Sequence, residues 1–255
     1  MGNRTSVLKE ERLNFILNSL RVDQKVLTSE LSEQLDVSED TIRRDLKELS
    51  DIGKIKKVHG GAVTHSLNPF SYRERKIFKL EEKITIVEKA ISLIHNGQVI
   101  IMDGGTTNLE LARRLPEDLK ATIFTNSLPV AEQLAEHPGV DIIFAGGKLL
   151  KSALATIGLE VIQSFSEIRA DLGILGTRSV DTEGGITEID WEEAKVKRAI
   201  VSASQHLISL AISEKLDTLQ PYKVADINHL HTLVTELKPD SQELIPYREL
   251  GINII

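Results

Sequence analysis

Residues 38–61 read Ser38-Glu39-Asp40-Thr41-Ile42-Arg43-Arg44-Asp45-Leu46-Lys47-Glu48-Leu49-Ser50-Asp51-Ile52-Gly53-Lys54-Ile55-Lys56-Lys57-Val58-His59-Gly60-Gly61. Ser38 is a helix-capping residue, and Glu39 and Asp40 suit the positive end of the helix it opens. Ile42, Leu46 and Leu49 recur at spacings of four and three, which makes one buried face. Thr41, Arg43, Arg44 and Lys47 are left facing outward. Gly53 is a natural stop. Beyond it, Lys54 to Val58 and Ala62-Val63 flank His59-Gly60-Gly61 as the arms of a hairpin.

Upstream, Lys9 to Leu20 reads as a helix with Leu13, Ile16, Leu17 and Leu20 on one stripe. The short β-like piece Lys25-Val26-Leu27 follows, then Thr28, placed to cap a helix over Ser29 to Leu35, then a turn through Asp36-Val37. Helix, short helix, turn, longer helix and hairpin is the order of a winged helix-turn-helix, whose last helix enters the major groove while the hairpin touches phosphates. Arg43 and Arg44 have the side chain best shaped for guanine or phosphate. With Thr28, Ser38, Thr41 and Lys47 on the helices and Lys54, Lys56 and Lys57 on the wing, they form the expected DNA-binding set. The basic residues alone fit a solvated helix face equally well; the arrangement over some 40 residues is what favours double-stranded DNA.

The charge distribution agrees. The 255 residues carry a net charge of −7, yet residues 41–60 hold six basic side chains against three acidic ones. A small basic face can bind phosphates on a protein that is acidic overall. With no cysteine there is no disulfide, thiolate nucleophile or cysteine-ligated zinc. His229, His231 and Asp226 lack the spacing of a metal site, so no metal is expected. No apolar run approaches the ~20 residues of a membrane span, and the first residues lack the apolar core of a signal peptide. The expectation is a cytoplasmic protein that does not engage a membrane.

A polar connector over residues 66–80 separates the DNA-binding domain, residues 1–65, from residues 81–255, where apolar strands alternate with helices. Val99 to Met102, Ala121 to Thr125, Val140 to Phe144, Asp171 to Gly176, His206 to Ile212 and Leu230 to Thr235 read as strands of a mostly parallel, Rossmann-like α/β sheet covered on both sides. Trp191 opens a long helix, to which it contributes packing.

Ligands of such sheets bind beyond the carboxyl ends of the strands, and those ends are polar here. The first leads into Asp103-Gly104-Gly105-Thr106-Thr107, where glycines admit backbone N–H groups to an anion and threonines add donors. The others present Asn126, Gly146-Gly147-Lys148 and Gly176-Thr177-Arg178, and Glu193 and Lys197 stand one helical turn apart. Each piece alone is an ordinary connector, a solvated charge or an i, i+4 pair; their recurrence argues for an anionic small molecule. There is no G-x-G triplet and no G-x-x-x-x-G-K-[ST], so no nucleotide cofactor is expected.

The residues Arg12, Leu13, Ile16, Leu17, Leu31, Val37, Ser38, Thr41-Ile42-Arg43-Arg44-Asp45-Leu46 and His59-Gly60-Gly61-Ala62 resemble the DeoR family of bacterial transcriptional regulators. Asp103 to Thr107 resembles that family's Asp-x-Gly-Ser/Thr-Thr loop. Gly146-Gly147, Gly185-Ile186-Thr187, Glu193 to Lys197 and Ser213-Glu214-Lys215 fall where comparable pieces are expected. The resemblance implies a repressor of a sugar-catabolic operon with a sensor domain similar to ribose-5-phosphate isomerase, released from DNA by a phosphorylated sugar. It carries operator contact onto Thr41, Arg43 and Arg44, effector contact onto Asp103 to Thr107, and anion pairing onto Lys197 and Lys215. Two departures stand out: Ile212 occupies a place where the family often has Asp, and Thr177-Arg178-Ser179 adds a cation to a Gly-rich stretch.

One winged helix makes too few contacts for genomic specificity, so a homo-oligomer, dimer or tetramer, on repeated half-sites is expected. Effector binding would then reorient the DNA-binding heads through the connector. The chief alternative is a sugar-phosphate isomerase-type enzyme carrying a DNA-binding domain, argued from Asp103, Glu188, Asp190 and Glu193. Against it, a regulator has no use for consuming its signal, and no catalytic residue is assigned. A further alternative is an activator or architectural DNA-binder with an empty sensor domain.

Overall fold

The computed structural model describes residues 8–23, 25–51, 55–64 and 72–255. The chain divides into two compact units, Met1–Leu67 and Asn68–Ile255. No helix among the described residues is long and apolar enough to cross a membrane.

The first unit contains α1 (Lys9–Asp23), β1 (Lys25–Leu27), α2 (Thr28–Gln34), α3 (Glu39–Asp51), β2 (Ile55–Val58) and β3 (Gly61–Thr64). The strands form an antiparallel sheet in the order β1-β3-β2, so the hairpin is stitched back to the strand before α2. Gly60 turns the hairpin at φ +81°. A Cβ on Gly61 would stand 1.9 Å from the carbonyl oxygen of Val26, which explains two consecutive glycines. Ile42, Leu46 and Leu49 are buried as their spacing predicts, against Ile16, Leu20 and Leu31. The Arg12 guanidinium reaches Asp45 through both carboxylate oxygens, at 2.8 and 3.3 Å, and so pins α1 to α3. The pairing raises the Arg12 pKa.

The second unit opens with α4 (Tyr72–Ile77) and α5 (Leu80–Ala90). Residues 72–80 are therefore not a connector: the charged run Arg73 to Lys76 conceals a helix whose Tyr72 is buried and whose following Phe78 packs on the core. Then come β4 (Val99–Met102), α6 (Thr106–Ala112), β5 (Ala121–Thr125), α7 (Leu128–Leu134), β6 (Val140–Phe144), β7 (Lys148–Leu150), β8 (Ala155–Ile157) and α8 (Leu159–Ser166). The unit continues with β9 (Ala170–Gly176), β10 (Ser179–Asp181), β11 (Gly185–Glu188), α9 (Trp191–Ala203), β12 (Ser204–Leu210), β13 (Tyr222–Ala225), β14 (Thr232–Val234), α10 (Ile245–Glu249) and β15 (Asn253–Ile254).

Seven strands make one wholly parallel sheet in the order β15-β14-β12-β9-β4-β5-β6. Alternate residues feed two cores: Ile100 and Met102 face α5, α6 and α7, whereas Ile101 and Leu175 face α8 and α9. The strand order reverses between β4 and β9. Strands later than β4 are added first on one side of it and then on the other, which opens a crevice at the carboxyl ends of β4 and β9. Two additions crown this end, the hairpin β7-β8 and a small antiparallel sheet in the order β10-β11-β13. Trp191 is not packed inside: 47% exposed, its ring lies 5.3 Å from that of Tyr222 and beneath Lys195 and Arg198.

Candidate functional site

In the first unit, the outer face of α3 presents Arg43, Arg44 and Lys47 to solvent, with Thr41 half-buried beside them. Ser38 begins this face: its Oγ accepts the Thr41 amide at 3.2 Å and lies 2.9 Å from Thr41 Oγ1, the capping geometry expected from sequence. Arg43 is held by Glu39 at 2.8 Å and Asp40 at 3.1 Å. Exposed pairs of this kind are worth only a few tenths of a kcal/mol, so Arg43 can exchange them for a base or phosphate. Lys57 is exposed on the wing, and Lys56 belongs to β2. Lys54 lies outside the described residues. Thr28 does not join this face. It is 5% exposed, starts α2 rather than capping it, and donates its amide to Gly60 O at 2.8 Å, so it braces the wing turn.

In the second unit, the crevice between β4 and β9 is lined by Gly104, Gly105, Thr106, Thr107, Arg178, Glu193, Lys197 and Lys215, eight of the eleven positions expected from sequence. Two glycines allow the strand ends to meet here. A Cβ on Gly176 would stand 2.3 Å from Gly104 O, and Gly105 sits at φ +130°. The other three positions lie elsewhere. Asp103 is beneath the crevice, where Oδ1 accepts the Gly176 amide at 2.6 Å and Asn108 Nδ2 at 2.7 Å. Its second oxygen, Oδ2, has no hydrogen-bond partner among the described residues. Asn126 is also buried and donates to Thr156 O at 2.8 Å, joining the end of β5 to β8. Lys148 is exposed at the start of β7, away from the crevice lining.

The charges divide into two groups. At the floor, the buried Lys197 ammonium is 2.5 Å from Glu188, 3.3 Å from Glu193 and 3.7 Å from Asp103, and it donates to Gly176 O at 3.0 Å. Its pKa rises because three carboxylates outweigh its desolvation. Lys197 is thus committed to carboxylates rather than waiting for an anion, and the Glu193–Lys197 pair is not a surface pair. Burial pushes Asp103 up to about 6, and burial together with Glu188 raises Glu193. Asp190 serves as the cap of α9, its Oδ1 accepting the amides of Glu192 and Glu193 at 2.9 Å.

The second group is cationic: Arg75 from α4, Lys83 from α5, Arg178 after β9 and Lys215 from the turn Ser213–Lys215. Lys215 has no hydrogen-bond partner for its ammonium among the described residues. Burial, with the charges of Lys83, Arg178, Lys197 and Arg75 around it, lowers its pKa to about 7. Burial likewise lowers Lys83 to about 8 and depresses Arg178. Such a group of desolvated cations beside two threonines is suited to an anion with several oxygens.

Arg75 and Lys83 escape sequence reasoning because they precede the sheet, and only tertiary packing brings them over it. Ile212, by contrast, points into the apolar core at 0% exposure. The turn after it is held instead by Glu236, whose carboxylate accepts the Ser213 amide at 3.0 and 3.1 Å and its hydroxyl at 2.5 Å.

Residues 12–67 match the DeoR-like helix-turn-helix domain and residues 79–237 match the DeoR C terminal sensor domain. The chain is 31% identical to the HTH-type transcriptional regulator GolR of Listeria innocua over 96% of this chain and 97% of that protein. It is 34% identical to the HTH-type transcriptional repressor GlcR of Bacillus subtilis, over 91% of this chain and 90% of that one. To the glycerol-3-phosphate regulon repressor of Escherichia coli it is also 34% identical, over 90% of this chain and 91% of the relative. With both domains matched in order and full-length relatives of this kind, the chain belongs to the DeoR family of transcriptional regulators.

Proposed function

We propose that this protein is a cytoplasmic DNA-binding repressor of a sugar-catabolic operon, released from its operator by a phosphorylated sugar. The observation that carries the ligand class is the ring of Arg75, Lys83, Arg178 and Lys215 over Thr106 and Thr107 at the reversal of strand order. A phosphate monoester offers three acceptor oxygens and nearly two negative charges, which match this ring. The carboxylates of Glu188, buried, and Glu193, half-buried, also line the crevice and are acceptors suited to sugar hydroxyls. A phosphorylated ligand of three to six carbons fits that polarity, and glycerol 3-phosphate enters the panel because one relative is named for it.

On the DNA side, Arg43, Arg44 and Thr41 read bases while Lys47 and Lys57 hold phosphates. Two or more copies of the chain act together on repeated half-sites. The test is thermal unfolding of the full chain with glycerol 3-phosphate, pentose and hexose phosphates, the free sugars and inorganic phosphate. A saturable rise in Tm with one phosphorylated sugar, absent with its free sugar, is the expected result. No rise with any phosphorylated compound would remove the ligand assignment.

An isomerase-type enzyme draws on one observation, the carboxylates of Asp103 and Glu193 beside Lys197, both pushed up by burial. Asp103, however, is 1% exposed and spends Oδ1 on Gly176 and Asn108, so it is placed to hold the loop rather than to touch a substrate. Turnover of pentose or hexose phosphates that is abolished by Glu193→Gln would reverse this reading.

A further inference from the structure

The two edges of the seven-stranded sheet differ in character. β15 has two residues, and an edge that short offers little to a further strand. β6 has five, Val140-Asp141-Ile142-Ile143-Phe144, and among the described residues it pairs with β5 alone. Its register with β5 runs without a bulge, and it holds no lysine, arginine or proline. Those are the devices that ordinarily keep a sheet edge from pairing. Four of its five residues are instead apolar, the composition of a strand inside a parallel sheet. Ile143 is 44% exposed and Phe144 38%.

In a parallel ladder, successive residues direct their N–H and C=O groups to opposite neighbours. At one end of the β5-β6 ladder Ala121 donates to Gly139 O at 3.3 Å, and at the other Ala145 donates to Thr125 O at 2.8 Å. The odd-numbered positions therefore bond to β5, Asp141 and Ile143 among them. Val140, Ile142 and Phe144 direct their amides and carbonyls to the open edge, where no strand among the described residues pairs with them. The side chains divide in the same alternation. Val140 and Ile142 enter the core under α7, whereas Asp141 and Ile143 share the opposite face and are both exposed.

We infer that β6 pairs antiparallel with β6 of a second copy of this chain, about a two-fold axis at Ile142, joining two sheets into one. This rests on the reading that two or more copies act together, and names the surface through which they meet. An open edge of backbone groups fits another strand, and a strand that meets its own copy across a two-fold axis is matched to itself. With the axis at Ile142, that residue faces Ile142 of the second copy and Val140 faces its Phe144. All the outward-directed amides and carbonyls of the strand are then matched. Asp141 faces Ile143 of the second copy, so the one charge on the strand meets no like charge. A strand pair this short falls below the ~1,200 Å² of a stable interface, so flanking apolar surface must contribute. Leu128 and Leu149, both exposed, supply it at the carboxyl ends of β5 and β6. Leu128 donates its amide to Leu154 O at 3.0 Å, and Leu149 pairs with Thr156, which ties both to the β7-β8 hairpin.

The experiment measures the mass of the full-length chain in solution by sedimentation across a concentration series. Ile143→Asp sets an aspartate against Asp141 of the second copy, and Ile143→Lys sets a lysine there. Both remove the same exposed apolar side chain, so the sign of the charge is what separates them. The wild type is expected to be a dimer or a larger even assembly. Ile143→Asp should halve its mass, with a dissociation constant raised about tenfold or more, while Ile143→Lys should stay within about threefold of wild type. Asp141→Lys combined with Ile143→Asp should recover the wild-type mass. A second measurement needs no variant: hydrogen exchange of the wild type, read at single residues by mass spectrometry. The amides of Val140, Ile142 and Phe144 should be protected in the assembly and lose protection on dilution, whereas Asp141 and Ile143, bonded to β5, should keep theirs.

An assembled wild type whose mass Ile143→Asp leaves unchanged would overturn the β6 pairing and leave the multi-copy reading standing. Equal loss of mass with aspartate and lysine would overturn the register centred on Ile142. Protection of the outward amides that persists on dilution to the monomer would mean that something other than a second copy covers the edge, and the inference would fall. A wild type that is monomeric at every concentration would remove the multi-copy reading itself, and this inference with it.

Discussion

Gly176 occupies the tightest point of the crevice, where the ends of β4 and β9 approach each other. A methyl group there would meet Gly104 O at 2.3 Å and Asp103 Oδ1 at 3.1 Å, and both belong to the loop that lines the site. Overpacking against backbone costs about 1–3 kcal/mol. Gly176→Ala is therefore expected to lower Tm by several degrees and to abolish the ligand-induced rise in Tm, both read by calorimetric scanning. Lys215 supplies a second prediction at this scale. Its pKa near 7 leaves it charged below that pH and neutral above it, and a bound anion favours the charged form. Glu193, raised by burial, loses its proton over a neighbouring range and adds repulsion in the same direction. A sugar phosphate is already a dianion above pH ~6, so its own titration contributes little. Ligand affinity should fall about tenfold between pH 7 and pH 8.5, and Lys215→Gln should flatten that fall. An affinity that rises with pH would contradict the assignment.

At the scale of elements, α3 was legible because three signals coincide in thirteen residues: a capping serine, first-turn acids, and an apolar repeat with the helical period. Its outer face, its inner face and the neighbouring wing have distinct expected phenotypes. Arg43→Ala should reduce preference for a duplex selected by the wild type from random-sequence DNA, over random DNA, by about 1–3 kcal/mol. Lys57→Ala should weaken both duplexes alike and reduce the slope of log affinity against log salt by about one. Fluorescence anisotropy across a salt series distinguishes them. Asp45, buried in the bidentate pair with Arg12, should instead act on stability. Asp45→Ala removes the bidentate carboxylate from the Arg12 guanidinium and is expected to cost about 3 kcal/mol, visible as earlier urea unfolding of the first unit.

The parallel strands were legible too, as apolar runs between helices. What escaped were elements whose cause is distant. The strands β7, β8 and β10 have three residues each and exist because of their partners. Helix α4 carries four charged residues in six, so it reads as a connector. Thr28 was misread because a threonine before a short helix resembles a cap, whereas the β1-β3 pairing buries it under the wing.

At the scale of the whole molecule, the two units have the two chemistries that a ligand-controlled DNA-binder needs. One offers exposed Arg and Lys on a braced helix, and the other a desolvated cationic crevice at a strand-order reversal. The location of the crevice followed from the polar strand ends, since the topology rule needs only their sequence neighbourhood. Which of those polar residues face it did not, because Asp103, Asn126 and Lys148 differ from Arg178 and Lys215 only in packing. The proposed control of DNA affinity in one unit by ligand in the other is a coupling that must appear as different ligand affinity in the bound and free states. The most direct measurement is a titration of the full-length protein against the selected duplex at fixed salt, with and without the phosphorylated sugar that raises its Tm. A rise in Kd of about tenfold or more at saturation, not reproduced by the free sugar, is expected. An unchanged Kd with the ligand demonstrably bound would contradict it.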